Sequence, residues 1–204
     1  MILRKLKERE HTGVSEAEEL LIRYASPTLA GLKVGSLFSA SCRSLGALKR
    51  EICSINEKLC TRGVCVIPLG FSKSRVLVYV YRPILLQKAL ATRSSRDILS
   101  RYGYYGGTCK DFVTELARRI SQSNTFPHEI GLFLGYPPED VLGFIENGAR
   151  NYKYAGAWKA YGNVENAAKL TETYRRCTDI YTRIHHQGIS LECLAVNIKN
   201  HERL

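Results

Sequence analysis

Apolar residues recur along this chain with two different periods. Leu45, Leu48, Ile52, Ile55 and Leu59 fall at steps of three and four, which puts them on one stripe of a helix over residues 44–60, ended by Gly63. Ala167, Leu170, Tyr174, Cys177, Tyr181 and Ile184 repeat the pattern and predict the longest helix, residues 163–187, with Asn163 as N-cap and Gly188 as stop. Residues 15–24 form a shorter helix, with Ser15 and Glu18 at capping-box spacing and a break across residues 27–31. Pro83 opens another helix at its first turn. Thr108-x-x-Asp111 caps one carrying Phe112, Val113, Leu116 and Ile120, with Arg118 and Arg119 near its C-terminal end, where they favour the helix dipole.

The second period is two. Residues 32–39 alternate as a strand, and VCVIPL (64–69) and RVLVYVYR (75–82) flank GFSKS as a hairpin. The second hairpin run is apolar on both faces (Val76, Val78, Val80 against Leu77, Tyr79, Tyr81), which marks a central strand. Beyond residue 107 the strand signal is lost. The expected fold is therefore α+β: a small mixed β-sheet with packed helices in the N-terminal half, and a helical C-terminal half. A single domain, 1–204, is expected; a sub-domain seam would fall near 107, between an α/β part (25–107) and a helical part (108–200).

Composition narrows the class. A hydrophobic fraction of 45% and a charged fraction of 24% are those of a soluble globular chain. No apolar run reaches the roughly 18–20 residues of a membrane helix, and the basic N-terminus lacks a signal-peptide core, so no membrane association and a cytoplasmic location are expected. Seven cysteines without a C-x-x-C match no zinc or iron–sulfur spacing; reduced thiols packed as small apolar residues are expected, and no metal site. The net charge of +11 is concentrated: residues 41–107 hold twelve Lys/Arg against three acids. That segment can attract an anionic ligand, an acidic protein or nucleic acid, or can simply be a solubilising surface.

Candidate chemistry centres on residues 125–145, TFPHEIGLFLGYPPEDVLGFI. His128 and Glu129 are candidate acid–base or metal-linked groups, but neighbours on a helix point about 100° apart. A zinc-protease motif would need a second His at position 132, where Leu132 stands. The competing interpretation is punctuation: Pro127 starts a helix, Gly135 and the Pro137–Pro138 pair stop it, and Glu139 and Asp140 charge the start of a second helix that Gly148 ends. The pair of helices has a helix–turn–helix shape, but an acidic second helix is a poor DNA reader.

Residues 150–162 interleave Tyr152, Tyr154, Trp158 and Tyr161 with Arg150, Lys153 and Lys159. They can stack on a planar anionic ligand such as a base, flavin or tetrapyrrole, or form a loop lying over the core. Tyr104 and Tyr105 stand in a glycine-rich stretch before a helix N-terminus, a place where amides can hold an anion. Lys73 and Arg75 make the hairpin tip basic. No nucleophile motif is present.

SPTLAGLK (26–33), YRP (81–83), FPHEIG (126–131), LGYP (134–137), DV (140–141), WK (158–159) and YG (161–162) resemble a bacterial family catalogued as domain of unknown function 3793, from anaerobic Gram-positive bacteria. The resemblance spans residues 25–195 and implies a single-domain cytoplasmic protein with a role linked to redox or iron metabolism. It supplies no activity, cofactor or catalytic residue.

Three functions follow as expectations. The first is a binding or accessory protein whose basic surface meets an acidic redox protein or an anionic small ligand, with Trp158 and nearby tyrosines lining a pocket. The second is an enzyme using His128 and Glu129. The third, less favoured, is a nucleic-acid-binding protein acting through residues 41–107.

Overall fold

The computed structural model describes residues 16–42, 44–122 and 125–198. Helix α1 (Glu16–Leu29) leads into strand β1 (Gly35–Ser41), and α2 (Leu45–Leu59) into β2 (Cys65–Ser72) and β3 (Arg75–Tyr81). Helices α3 (Pro83–Ala91), α4 (Arg93–Arg101), α5 (Cys109–Gln122), α6 (Ile130–Phe133) and α7 (Pro138–Asn147) follow. A small hairpin of β4 (Tyr154–Ala155) and β5 (Lys159–Ala160) precedes α8 (Val164–His186) and α9 (Leu191–Leu194). The architecture is α+β, with a helical C-terminal half.

The sheet runs in the order β1-β3-β2, and β3 is central, as its two apolar faces predict. Every pairing is antiparallel, not mixed. The reason is topological. Strands β1 and β2, joined through α2, run parallel, but β3 lies between them and pairs with both. Pro68 sits in the edge strand β2, where its missing N–H costs no ladder bond on the open side, and the register shifts between Pro68 and Gly70.

The two faces of β3 belong to two cores. Val76, Val78 and Val80 pack with residues of α1, α2 and α9. Tyr79 and Tyr81 pack with Leu86, Leu99, Phe112 and Phe133, a core that draws on residues both before and after 107. Gly35 is required at one contact: a Cβ there would lie 2.7 Å from the Phe133 carbonyl oxygen, to which the Tyr79 hydroxyl donates at 2.6 Å. This bond seats α6 on the sheet.

Local signals placed most helix ends. Thr108 and Asp111 form the reciprocal capping box, with Thr108 N–H to Asp111 Oδ2 at 3.0 Å and Asp111 N–H to Thr108 Oγ1 at 3.2 Å. Asn163 caps α8, and Gly188 at φ +92° follows its end. Ser15 lies outside the described residues. The expected break at 27–31 falls later: α1 runs through Pro27 to Leu29, because Pro27 sits in the last turn on a buried face and forfeits one bond only. Helix α4 was not marked by the hydrophobic pattern. The β4–β5 hairpin replaces the loop expected over 150–162.

Candidate functional site

The stretch 125–145 builds the floor of a cleft. After Pro127 a single turn holds His128 and Glu129, α6 follows, and Gly135 at φ +77° reverses the chain. Pro138 opens α7, and Asp140 in its first turn accepts three hydrogen bonds from the hairpin region. These come from Trp158 Nε1 at 2.7 Å, Tyr161 N–H at 2.7 Å and Gly162 N–H at 2.8 Å. Asp140 is buried, and its donors supply what water would. The bonds draw Trp158 onto Tyr136, with ring centroids 5.0 Å apart and planes at 22°. The Tyr136 hydroxyl donates to the Ala157 carbonyl at 3.2 Å.

Between α6, α7 and the hairpin lies a cleft of about 400 Å³, walled by Tyr136, Phe144, Trp158, Ile130 and Leu134, with His128 among its lining residues. His128 is exposed and meets Phe144 edge-on, with centroids 5.1 Å apart. The Lys159 side chain also lines the cleft, while its ammonium donates to the Ala149 carbonyl at 3.2 Å and lies 4.8 Å from the Tyr152 ring centroid.

His128 and Glu129 part company. Glu129 is 2% exposed and faces the core, where it accepts from the Tyr104 hydroxyl at 3.1 Å and lies 4.0 Å from Arg119 Nη1. Burial first, and then the Glu129 carboxylate, push the Tyr104 hydroxyl far above the usual phenol range. Adjacent positions leaving the turn in different directions place one group in the cleft and the other beneath it. The two do not form an acid–base dyad.

The structure brings His128, Trp158 and Lys159 to one cleft. It does not bring the other candidates there. Tyr154 packs behind Trp158 with Leu170 and Tyr174, and Lys153 is exposed. Tyr161 lies against Gly143 with its hydroxyl buried and without a partner among the described residues. Lys73 is exposed at the hairpin tip in the left-handed region, φ +52°. Arg75 is clamped to β1 through Ser39 Oγ and the Ser39 carbonyl, both at 2.8 Å. Tyr104 is core. Tyr105 is 88% exposed in its loop. That loop offers no open anion cradle at Thr108, whose N–H is taken by the chain's own carboxylate, Asp111. The Gly106 and Gly107 carbonyls accept from Arg96 and Gln87, both at 3.2 Å.

Several cations of segment 41–107 are likewise engaged: Lys58 with Glu18, Arg75 with Ser39, Arg96 with Gly106 and the Phe112 ring, and Arg82 in the interior. Sequence reasoning missed Tyr136, Phe144 and the organising role of Asp140. The only signal was LGYPPEDV itself, which also reads as turn chemistry.

Residues 21–195 match the family described as protein of unknown function (DUF3793), and the chain belongs to that family. No curated protein and no solved structure matches it. No described helix is long and apolar enough to cross a membrane.

Proposed function

We propose that this member of the family is a binding protein whose cleft takes a small, flat ligand with an anionic edge. The observation that carries this is the wall of Tyr136, Phe144 and Trp158 around about 400 Å³, a size and composition suited to a small organic molecule. The choice of an anion follows from charge. The basic groups lining the cleft are His128 and Lys159, whose ammonium rests on the Ala149 carbonyl, and the one carboxylate there, Asp140, is already engaged by three donors. The protein acts in the cytoplasm in this reading. The exposed Lys49, Arg50, Lys73, Arg93 and Arg101 are open to an acidic partner, such as an acidic redox protein.

Trp158 is the only tryptophan of the chain, so its fluorescence reports on this cleft alone. Titration with anilinonaphthalene sulfonate, a flat aromatic anion, is expected to quench it to saturation at one probe per chain, and Phe144→Ala to weaken the binding about tenfold. An unsaturable signal, or equal affinity in the variant, removes the reading.

A second reading, catalysis, is favoured by His128 facing the cleft. Glu129, buried against Tyr104 and Arg119, lies outside the cleft, so acid–base work would fall on His128 alone.

A further inference from the structure

Lys33 stands in the turn between α1 and β1, and its main chain is pinned there. Its N–H donates to the Pro27 carbonyl at 3.1 Å, and the next carbonyl, that of Val34, accepts from the Arg82 N–H at 3.0 Å. Val34 packs so close to Gly135 that a Cβ there would lie 2.7 Å from its side chain. The Lys33 side chain meets two aromatic faces from other parts of the chain. Its nitrogen lies 5.3 Å from the ring centroid of Tyr136, just before α7, and 5.7 Å from that of Tyr174, on α8.

A lysine nitrogen ordinarily meets water or a carboxylate. This one belongs to a half-buried residue, and among the described residues no carboxylate pairs with it and no oxygen accepts from it. Tyrosine faces attract an ammonium but give its three N–H donors no acceptor of the ordinary kind. The two phenols supply no counter-charge near neutral pH, since burial pushes the Tyr136 hydroxyl up to about 12 and raises that of Tyr174. Burial correspondingly lowers the pKa of the Lys33 amine to about 8. A desolvated, unpaired setting of this kind turns a lysine into a nucleophile.

We propose that Lys33 is a covalent attachment site for flat aromatic aldehydes, which it holds as an imine against the faces of Tyr136 and Tyr174. The nitrogen lone pair of the neutral amine bonds to the aldehyde carbon, and the carbonyl π pair moves to the oxygen, which takes up a proton. The carbon–oxygen bond then breaks. The oxygen leaves as water with the two protons that the amine carried, and nitrogen and carbon are left doubly bonded. Nothing is oxidised or reduced, and water returns the free amine and aldehyde. The imine nitrogen carries no N–H in its neutral form, so it asks for none of the acceptors this setting lacks, and the ligand ring stacks where the ammonium met the tyrosines. Lys33 does not line the cleft of Phe144 and Trp158, so this attachment stands apart from the ligand of that cleft and shares only Tyr136 with it.

The test uses the full chain at neutral pH with pyridoxal 5′-phosphate as the aldehyde, and borohydride to fix the imine as a secondary amine. Modified Lys33 resists trypsin, so its label is read on the uncut peptide of residues 24–43. Lys33 is expected to label about tenfold faster than the exposed Lys73 and Lys153, because more of its amine is neutral. Lys33→Met is expected to abolish that label and leave the slow labelling elsewhere unchanged. Tyr174→Leu, which takes away one ring, is expected to slow Lys33 toward the rate of Lys153. Label spread evenly over the exposed lysines overturns the proposal. So does a Lys33 rate that Tyr174→Leu leaves unchanged.

Discussion

Lys33 holds its ammonium 5.3 Å from the Tyr136 ring centroid and 5.7 Å from that of Tyr174, directly behind the wall of the cleft. Burial lowers its pKa from 10.5 to about 8. The two ring faces return part of the lost hydration, as cation–π contacts do. A base whose folded pKa lies below its unfolded value is strained as a cation. The cost is fully present below pH 8, falls as pH rises from about 8 to 10.5, and is gone above. Lys33→Met is therefore expected to stabilise the fold at pH 7 by on the order of 1–2 kcal/mol, a figure discounted for the side chain's partial exposure. The advantage is expected to shrink by pH 10. Urea midpoints of both chains at the two pH values check this, since other titrating groups cancel in the difference. An advantage that stays constant rules out Lys33 as the desolvated amine. At the same scale, His128 was the one residue of its stretch without a structural role in the sequence, and it faces the cleft. Glu129 read as a helix-start acid, yet its partners are Tyr104 in the loop before α5 and Arg119 on α5, which no local pattern could reveal.

Elements were legible where their ends are settled by neighbours in sequence. Thr108 with Asp111, Asn163 with Asn166, and Pro138 with Gly148 mark starts and stops within a few residues, and the helices begin or end there. The β4–β5 hairpin was not legible, because what holds it is a carboxylate about twenty positions earlier. Its two-residue strands form one short ladder, too little to stand alone. Asp140 supplies the rest through Trp158, Tyr161 and Gly162. Helix α4 was missed for a related reason: it buries only Ser95, Ile98 and Leu99, a stripe too narrow to register as a period. Asp140→Ala leaves three donors without their acceptor and is expected to cost about 2–4 kcal/mol. It is also expected to release Trp158 from Tyr136, shifting its emission to the red. A variant whose emission is unchanged would mean the stacking, not Asp140, positions the hairpin.

Across the whole molecule, three stretches far apart in sequence are joined through one side chain. Arg82 is 1% exposed, and its guanidinium donates to the carbonyls of Thr28 (2.6 Å), Leu29, Arg62 (3.1 Å) and Val196 (2.8 Å). It thereby ties the end of α1, the turn before β2 and the stretch after α9, where the Val196 N–H also reaches the Leu29 carbonyl at 3.0 Å. Burial pulls its pKa down to about 10, so it remains a cation at neutral pH. The carbonyl end of α1 supplies the negative pole it faces. A planar fork suits several carbonyls at once in a way an ammonium does not. Arg82→Met strands these acceptors in the interior, and the removal of a buried charge offsets only part of that cost. The expected loss is about 3 kcal/mol, seen as a lower urea midpoint with an unchanged slope. Arg75→Met, which breaks exposed bonds to Ser39, is expected to cost under about 1 kcal/mol. Hydrogen exchange at Val196 separates a local from a shared effect: if Arg82 couples the three stretches, its amide exchanges faster in Arg82→Met and not in Arg75→Met. Equal costs for the two variants would show that the stretches are held by their apolar packing, with Arg82 a passenger.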